Sequence, residues 1–267
     1  MSAVGAAVID GWVVAKRNLT KIKRIPDLLI FSTIQPIMFV LLFAYVFGGA
    51  IKIPGVNYRE YLMAGIFTQT VAFGAGITAI GLAEDLQKGT IDRFRSLPMS
   101  RAAVLIGRTT SDLLNNVLVV VVMSICGLLV GWRIHTDPLR ALAGFVLLFG
   151  FGYAMSWISA TIGLSVKTVE VAQSAGFIWM FPLTFLSNAF VSTKDLTPWL
   201  RDVADWNPIS SIVLALRDLW GNAGDRFARP SGFPGEHPIL LAVLWILGIL
   251  AVFLPLSISK YRKAAAR

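Results

Sequence analysis

LLIFSTIQPIMFVLLFAYVFGGA, residues Leu28–Ala50, is a run of 23 residues without Asp, Glu, Lys, Arg or His. At about 1.5 Å of rise per residue, a helix of this length crosses a hydrocarbon core of about 30 Å. Five more runs share this property: Tyr61–Ala83, Leu113–Trp132, Ala141–Val166, Val171–Val191 and Pro238–Ser259. The chain is also 56% hydrophobic and only 15% charged. We therefore predict an all-α, polytopic membrane protein with six transmembrane helices.

Lysine and arginine are unevenly distributed among the segments that join these runs. The N-terminal segment, the second and fourth connectors and the C-terminal tail hold 15 of them, whereas the short first and third loops hold four. The positive-inside rule then places both termini in the cytoplasm, which agrees with an even number of spans. We also expect Tyr58, Tyr61, Trp132 and Tyr261, at the ends of the runs, to lie at the level of the lipid headgroups.

The runs and their flanks divide the chain into three parts. Residues 1–27 are predicted to form a cytoplasmic amphipathic segment, residues 28–259 the transmembrane domain, and residues 260–267 a cytoplasmic tail. Two connectors exceed the length that joins antiparallel helices: the charged cytoplasmic connector 84–112 and the extracellular loop 192–237. Within the loop, Ile209–Trp220 is predicted to be an amphipathic helix.

The polar residues inside the runs are neutral, and this limits the chemistry available there. Ion-driven carriers and membrane enzymes usually place ionisable side chains within the membrane, so both classes are disfavoured. Cys126 is the single cysteine and the two histidines lie in separate loops, so neither a disulfide nor a metal site is expected. The net charge of +9 flanks the spans rather than forming one patch, which argues against a nucleic-acid partner.

Two stretches carry a family resemblance. EDLQKGTIDRFRSLPMSRAAVLIGR (Glu84–Arg108) resembles the first cytoplasmic connector of type-2 ABC exporter permeases. NAFVSTKDLTPWLRDVADWNPISSIVLALRDLW (Asn188–Trp220) resembles the Pro-x-Trp-Leu and Asn-Pro-x-(Ser/Thr) stretch before the last helix of the same family. Length, span number and orientation agree across essentially the whole chain, and the daunorubicin-resistance-type subgroup is the most similar in pattern.

The resemblance implies a multi-pass permease of a bacterial plasma membrane, working as the passive half of an ATP-driven exporter. Its partners would be two copies of an ABC ATP-binding subunit, a second permease chain (identical or different) and membrane lipid. This chain has no Gly-x-x-x-x-Gly-Lys-(Ser/Thr) loop, so it is expected to bind no cofactor, and ATP and Mg would be bound by the partner subunit. The expected cargo is a hydrophobic or amphipathic small molecule or a lipid-like molecule. Export of a lipid-linked polysaccharide is the alternative.

The resemblance also implies roles for particular residues. The loop 192–237 would hold short re-entrant helices that cap the exit. Contact with the ATPase is expected from the cytoplasmic connector, at Glu84, Asp85, Lys88, Gly89, Thr90, Asp92, Arg93, Phe94, Arg95, Leu97, Pro98 and Arg101. The substrate pathway, formed mainly by the second and fifth spans, is expected to include Gln35, Phe67, Gln69, Phe73, Gln173, Phe177 and Met180.

Overall fold

A computed structural model describes residues 26–47, 57–89, 101–190, 193, 196–224 and 229–264. The described residues form helices and connecting turns, without a β-strand. The predicted N-terminal amphipathic segment and the connector residues from Thr90 to Ser100 lie outside the described residues.

The helices are numbered here in chain order. They are α1 (Pro26–Leu41, continued by a π-helical turn, Leu42–Phe47), α2 (Tyr58–Gly74), α3 (Gly76–Gln87), α4 (Arg101–Val130), α5 (Pro138–Gly163), α6 (Val169–Phe185), α7 (Pro198–Trp206), α8 (Pro208–Trp220), α9 (Phe233–Glu236) and α10 (Pro238–Ala264).

Four helical segments of the described chain are long and apolar enough to cross a membrane: Tyr58–Gln87, Leu105–Val130, Pro138–Gly163 and Pro238–Lys263. A shorter apolar helix, Thr33–Val46, corresponds to the first predicted span, and α6 corresponds to the fifth. The protein is therefore an all-α, polytopic integral membrane protein. The segment Tyr58–Gln87 contains both α2 and α3, which are separated by a break at Ala75 that the sequence analysis did not predict.

The fifth span ends earlier than predicted. The charge-free run continues to Val191, but α6 has 17 residues and ends at Phe185. Pro182 lies in its last turn, where proline supplies no backbone N–H. Beyond the helix end, the Asn207 side-chain amide donates to the carbonyls of Leu183 (2.7 Å) and Leu186 (2.6 Å). These bonds satisfy terminal carbonyls that a longer helix would have bonded internally.

Helix α5 is the central packing element, in contact with α3, α4, α8 and α10. Asp137 caps its N-terminus by accepting a hydrogen bond from the Arg140 backbone N–H, and Pro138 occupies the first turn. The small residue Gly144 allows Trp220 of α8 to pack against it, because a Cβ there would lie 2.4 Å from the indole nitrogen.

The four aromatic residues expected at the level of the lipid headgroups pack inside the protein, and their depth in the membrane stays a prediction. Tyr58, Tyr61, Trp132 and Tyr261 are all buried inside the protein. The Tyr61 hydroxyl donates to the Asn188 carbonyl (3.0 Å), and the Trp132 indole N–H donates to the Asn222 side chain (2.9 Å). A buried Tyr or Trp is stabilised in this way when its polar atom finds a protein partner.

One end of the bundle, predicted to be the extracellular one, carries α7, α8 and α9, which lie in the long fifth loop. Helix α8 spans the run predicted to be helical, and its Ile212, Leu216 and Leu219 side chains are buried. Asn207 caps its N-terminus, and Gly221, with φ of 71°, ends it in the left-handed conformation. Buried Arg217, on the same helix, ties the turn after α6 to α2 through backbone carbonyls.

Candidate functional site

A pocket of about 250 Å³ opens between α1, the α2–α3 break, α4 and α6. Its rim includes the exposed side chains of Gln35, Gln173 and Phe177. The lining residues are Gln35, Pro36, Phe39, Gln69, Thr70, Phe73, Gly74, Gly76, Ile77, Ile80, Asn115, Asn116, Val119, Ala172, Gln173, Gly176, Phe177 and Met180. Five helices, α1, α2, α3, α4 and α6, therefore contribute to one cavity at a depth within the spans.

Six of the seven residues predicted for the substrate pathway line this pocket: Gln35, Gln69, Phe73, Gln173, Phe177 and Met180. Phe67 does not. Its ring is fully buried on the opposite side of α2, between Trp132 (centroid distance 5.3 Å) and Trp220 (5.4 Å). Six residues separate Phe67 from Phe73, which at 100° per residue directs the two side chains to different faces of a regular helix. The transport role of the six remains a prediction.

The sequence analysis missed the contribution of α4 to the pocket. Asn115, Asn116 and Thr70 line the cavity but were not among the residues predicted for the pathway. The adjacent pair Asn115-Asn116, directly before the apolar stretch Val117–Met123, is the signal that could have identified them, because buried amides need partners. The face they occupy depends on how α4 packs, which one sequence does not specify.

The break between α2 and α3 lies at the pocket wall. Gly74 and Gly76, on either side of Ala75, both line the cavity. A Cβ at Gly74 would lie 2.2 Å from the Asn116 side-chain oxygen, so a larger residue there would displace that amide. A Cβ at Gly76 would meet no atom within 4 Å. The broken helix therefore brings bare backbone to the cavity.

A buried ion pair lies next to the pocket, on the side of the connector 84–112. Asp112 accepts a hydrogen bond from the Thr78 hydroxyl (2.6 Å), and Arg108 Nε lies 3.5 Å from the same carboxylate. The Arg108 side chain crosses α3 at Gly81, where a Cβ would lie 1.7 Å from its Nη2. Both charged residues lie inside the apolar helical segment Leu105–Val130, but before the predicted charge-free run Leu113–Trp132. They are tolerated because each charge has the other as partner.

The hydrogen bond from Thr78 of α3 to Asp112 of α4 joins the two helices that flank the charged connector. Helix α3 leads into the connector at Gln87 and α4 leaves it at Arg101. At the start of the connector Lys88 forms an ion pair with Glu84, and this hydrogen bond raises the pKa of the Lys88 ammonium. Gly89 has φ of 63°, the left-handed conformation that suits glycine in a sharp turn.

The residues predicted to contact an ATPase are only partly described. Glu84 and Asp85 lie in the last turn of α3, Lys88 and Gly89 form the turn after it, and Arg101 begins α4. The other predicted contacts, Thr90, Asp92, Arg93, Phe94, Arg95, Leu97 and Pro98, lie outside the described residues. Gln87 also donates to the Lys167 carbonyl (3.4 Å), which brings the second and fourth connectors together on the same side.

The described residues contain no group of three or more His, Cys, Asp or Glu that is arranged to hold a metal ion. Together with a pocket lined by neutral side chains, the arrangement is suited to binding a molecule within the membrane. It contains no pair of convergent ionisable groups at the pocket, in the part of the chain that is described, that would activate water or a nucleophile.

Comparison with known proteins gives consistent results. Residues 10–219 match the family model described as ABC-2 type transporter. The chain is 31% identical to a daunorubicin resistance ABC transporter permease protein of Streptomyces coeruleorubidus, over 99% of this chain and 89% of that protein. It is 24% identical to a probable doxorubicin resistance ABC transporter permease protein of Mycobacterium tuberculosis, over 93% and 87% of the two chains. It is also 24% identical to a putative transport permease of Cyanophora paradoxa, over 90% and 86%.

These matches cover most of the chain, and they agree with the all-helical polytopic fold. They also agree with the family resemblance of the stretches Glu84–Arg108 and Asn188–Trp220. The chain belongs to the ABC-2 type transporter family of membrane permeases.

Proposed function

We propose that this chain is the permease subunit of an ATP-driven exporter that moves a hydrophobic or amphipathic small molecule out of the cell. The pocket between α1, the α2–α3 break, α4 and α6 is the observation that carries this proposal, because it combines aromatic rings with neutral amides at a depth within the spans. Relatives named for daunorubicin and doxorubicin resistance support the same class of cargo.

The energy would come from a separate ATP-binding subunit, present in two copies that bind ATP and Mg. The functional unit would also contain a second permease chain. Support for a second chain comes from α6, whose Ile178, Phe181 and Phe185 side chains are exposed beside the pocket rim. A pathway completed by a second chain would cover this face, and the exposed rim of the pocket would then face the partner.

The contact with the ATPase would be made by the connector between α3 and α4. A displacement of this connector acts on both helices together, since the Asp112 carboxylate is bonded to Thr78 of α3 and to Arg108 of α4. Ile77 and Ile80 of α3 line the pocket, as do Asn115 and Asn116 of α4. Movement of the connector would therefore change the shape of the pocket directly, without an intervening element.

An ion-driven carrier is the alternative that the buried Asp112 raises. Carriers of this class bind the driving ion at an intramembrane carboxylate. Asp112 is already paired with a guanidinium and a hydroxyl, so it is not arranged as an open ion site. The two functions differ in one measurable property, the need for ATP.

The test is transport by the permease reconstituted with its ATP-binding subunit in vesicles. We expect uptake of a fluorescent amphipathic dye into inside-out vesicles only when hydrolysable ATP is present. Uptake driven by an ion gradient without ATP, or failure of the permease to co-purify with any ATP-binding subunit, would reject the proposal.

A charge reversal tests the connector. Arg93→Glu with Arg95→Glu should lower association with the ATP-binding subunit while leaving membrane insertion intact. The matched control reverses two exposed charges at the cytoplasmic end of α10, Arg262→Glu with Lys263→Glu, and should retain association. Equal association of both double variants would remove the connector from the contact.

A further inference from the structure

We propose that the pocket recognises an uncharged molecule with an apolar, aromatic body and a hydrogen-bond acceptor, and that Asn116 binds this acceptor. The inference rests on the proposed function, because it assumes that the pocket holds the cargo. Beyond that function, it specifies which chemical group of the cargo the permease recognises and which residue binds that group.

The polar lining of the pocket is entirely neutral. It consists of five side-chain amides and one hydroxyl, those of Gln35, Gln69, Thr70, Asn115, Asn116 and Gln173. The charged groups closest in sequence to Asn116 on α4 are Arg108 and Asp112, which are paired with each other. An ionised group in the cavity would lose its hydration without gaining a counter-charge, at a cost of several kcal/mol. The pocket therefore selects against charge.

Asn116 differs from the other amides in being buried. Its side chain is only 2% exposed, and its amide nitrogen has no hydrogen-bond partner among the described residues. The amide fills a gap between two glycines: a Cβ at Gly74 would lie 2.2 Å from its oxygen, and one at Gly152 would lie 3.6 Å from its nitrogen. A buried donor without a partner is costly, and an acceptor on a bound molecule would remove this cost.

The donor can be presented to the cavity by rotation about a single bond. The terminal amide of asparagine rotates between two broad orientations about χ2, which exchange its oxygen and nitrogen. The oxygen lies against Gly74, which itself lines the cavity. After the exchange the N–H₂ group takes that position and can donate to a ligand.

Aromatic side chains supply the complementary apolar surface. The rings of Phe73 and Phe177 lie 6.2 Å apart between centroids and are inclined at 46°, and Phe39 lines the cavity from α1. Planar aromatic ligands pack favourably against such tilted rings. A ligand with a rigid aromatic body and one hydrogen-bond acceptor therefore matches both the aromatic side chains of the pocket and the Asn116 amide.

The experiment uses three rigid probes of nearly equal shape: fluorenone, which carries a ketone; fluorene, which has a methylene in its place; and fluorenecarboxylate, which is ionised. Binding of each radiolabelled probe to the full-length permease in lipid nanodiscs is measured by scintillation proximity, with empty nanodiscs subtracted. We expect fluorenone to bind about 5- to 10-fold more tightly than fluorene, as one net hydrogen bond predicts. Fluorenecarboxylate should bind more weakly than both.

The Asn116→Leu variant keeps the number and branching of the side-chain heavy atoms but removes the donor. It should lose the preference for fluorenone, so that the ratio of the two Kd values falls to about one. Gly74→Ala leaves Asn116 in place but displaces its amide, and it should also lower the ratio. The matched control is Gly248→Ala in α10, where a Cβ would meet no atom within 4 Å and the wild-type ratio should remain.

Several results would overturn the inference: equal affinity for fluorenone and fluorene, tighter binding of the carboxylate, or a preference for the ketone that survives both Asn116→Leu and Gly74→Ala. These results would leave ATP-dependent export untouched, because that is judged by transport with the ATP-binding subunit. Absence of binding for all three probes while ATP-dependent dye transport persists would move the cargo site away from this pocket and would also overturn the inference.

Discussion

Replacing Arg217 with methionine should destabilise the outer half of the permease. The Arg217 side chain is fully buried, with 0% exposure. Its Nε donates to the Tyr61 carbonyl (3.1 Å), and its Nη2 donates to the carbonyls of Asn188 (3.0 Å) and Ala189 (3.3 Å). Its guanidinium also lies over the Tyr61 ring. One side chain thus joins α8, α2 and the turn that follows α6.

The expected loss of stability depends on which backbone carbonyls lose a hydrogen-bond donor. Asn188 keeps the hydrogen bond from the Tyr61 hydroxyl, at 3.0 Å, so the losses concentrate on the Tyr61 and Ala189 carbonyls. Hydrogen bonds from a charged donor contribute about 1.5–3 kcal/mol each. Part of this is offset because methionine no longer requires a buried charge to be desolvated. We expect the free energy of unfolding to fall by about 2–4 kcal/mol.

The chain offers its own probe for this measurement. Cys126 is the single cysteine and is partly buried in α4, so its reaction with a thiol-reactive fluorophore reports unfolding. The free energy is obtained from titration of the purified permease with denaturing detergent. The control is Arg229→Met, since Arg229 is also in the fifth loop but forms an exposed bidentate pair with Asp218, worth at most about 1 kcal/mol.

If Arg217→Met loses no more stability than Arg229→Met, the reasoning from burial and carbonyl bonding is refuted. Arg217→Lys provides a further check. A lysine ammonium is a compact donor and does not reproduce the forked geometry of a guanidinium, so this variant should recover only part of the loss. Full recovery by lysine would show that charge alone matters at this position.

Two further substitutions test other parts of the structure. Gly81→Ala places a methyl group 1.7 Å from Arg108 Nη2 and so disrupts the ion pair of Arg108 with Asp112. The free energy of unfolding, measured in the same detergent titration, should fall by about 3 kcal/mol, and by more than in the control Gly248→Ala. Equal losses in the two variants would contradict this. Burial raises the pKa of the Asp205 carboxyl, so folding favours its neutral form, and wild-type stability should fall as pH rises through that raised pKa. Asp205→Asn should therefore be more stable than wild type above that pKa, with the difference disappearing at lower pH, as thermal unfolding across about pH 4–8 would reveal.

The sequence was sufficient to predict an all-α polytopic fold and the approximate place of its apolar helices, because long apolar runs have few alternatives in a membrane. It did not predict where α6 ends. Leu186–Val191 is as apolar as the helix before it, and the end depends on the Asn207 side chain, which lies about 20 residues further along the chain. Nor did it predict the break at Ala75, because the glycines beside it are also common in continuous transmembrane helices.

Only some of the residues that line the pocket could be predicted from the sequence. The family resemblance pointed to the second and fifth spans, and Gln69, Phe73, Gln173 and Phe177 do lie on the cavity. Phe67 was assigned to the same pathway because the sequence provides no reference for the rotation of α2 about its axis. The burial of the Arg108–Asp112 pair was not predicted either. An i,i+4 ion pair just before an apolar run is typical of an exposed helix end, and this pair is buried because α3 packs against it.

The early end of α6 has a consequence for the surrounding bilayer. A helix of 17 residues is about 25 Å long, whereas the hydrocarbon core is about 30 Å thick. The exposed Ile178, Phe181 and Phe185 side chains extend to the end of this short helix. In a single chain that no second permease chain has yet covered, these side chains would face lipid, and hydrophobic mismatch would be relieved by local thinning of the membrane. The outer headgroups are then drawn toward the level of the pocket, and a molecule released beside α6 has a shorter apolar path to water than it would have through an unperturbed bilayer.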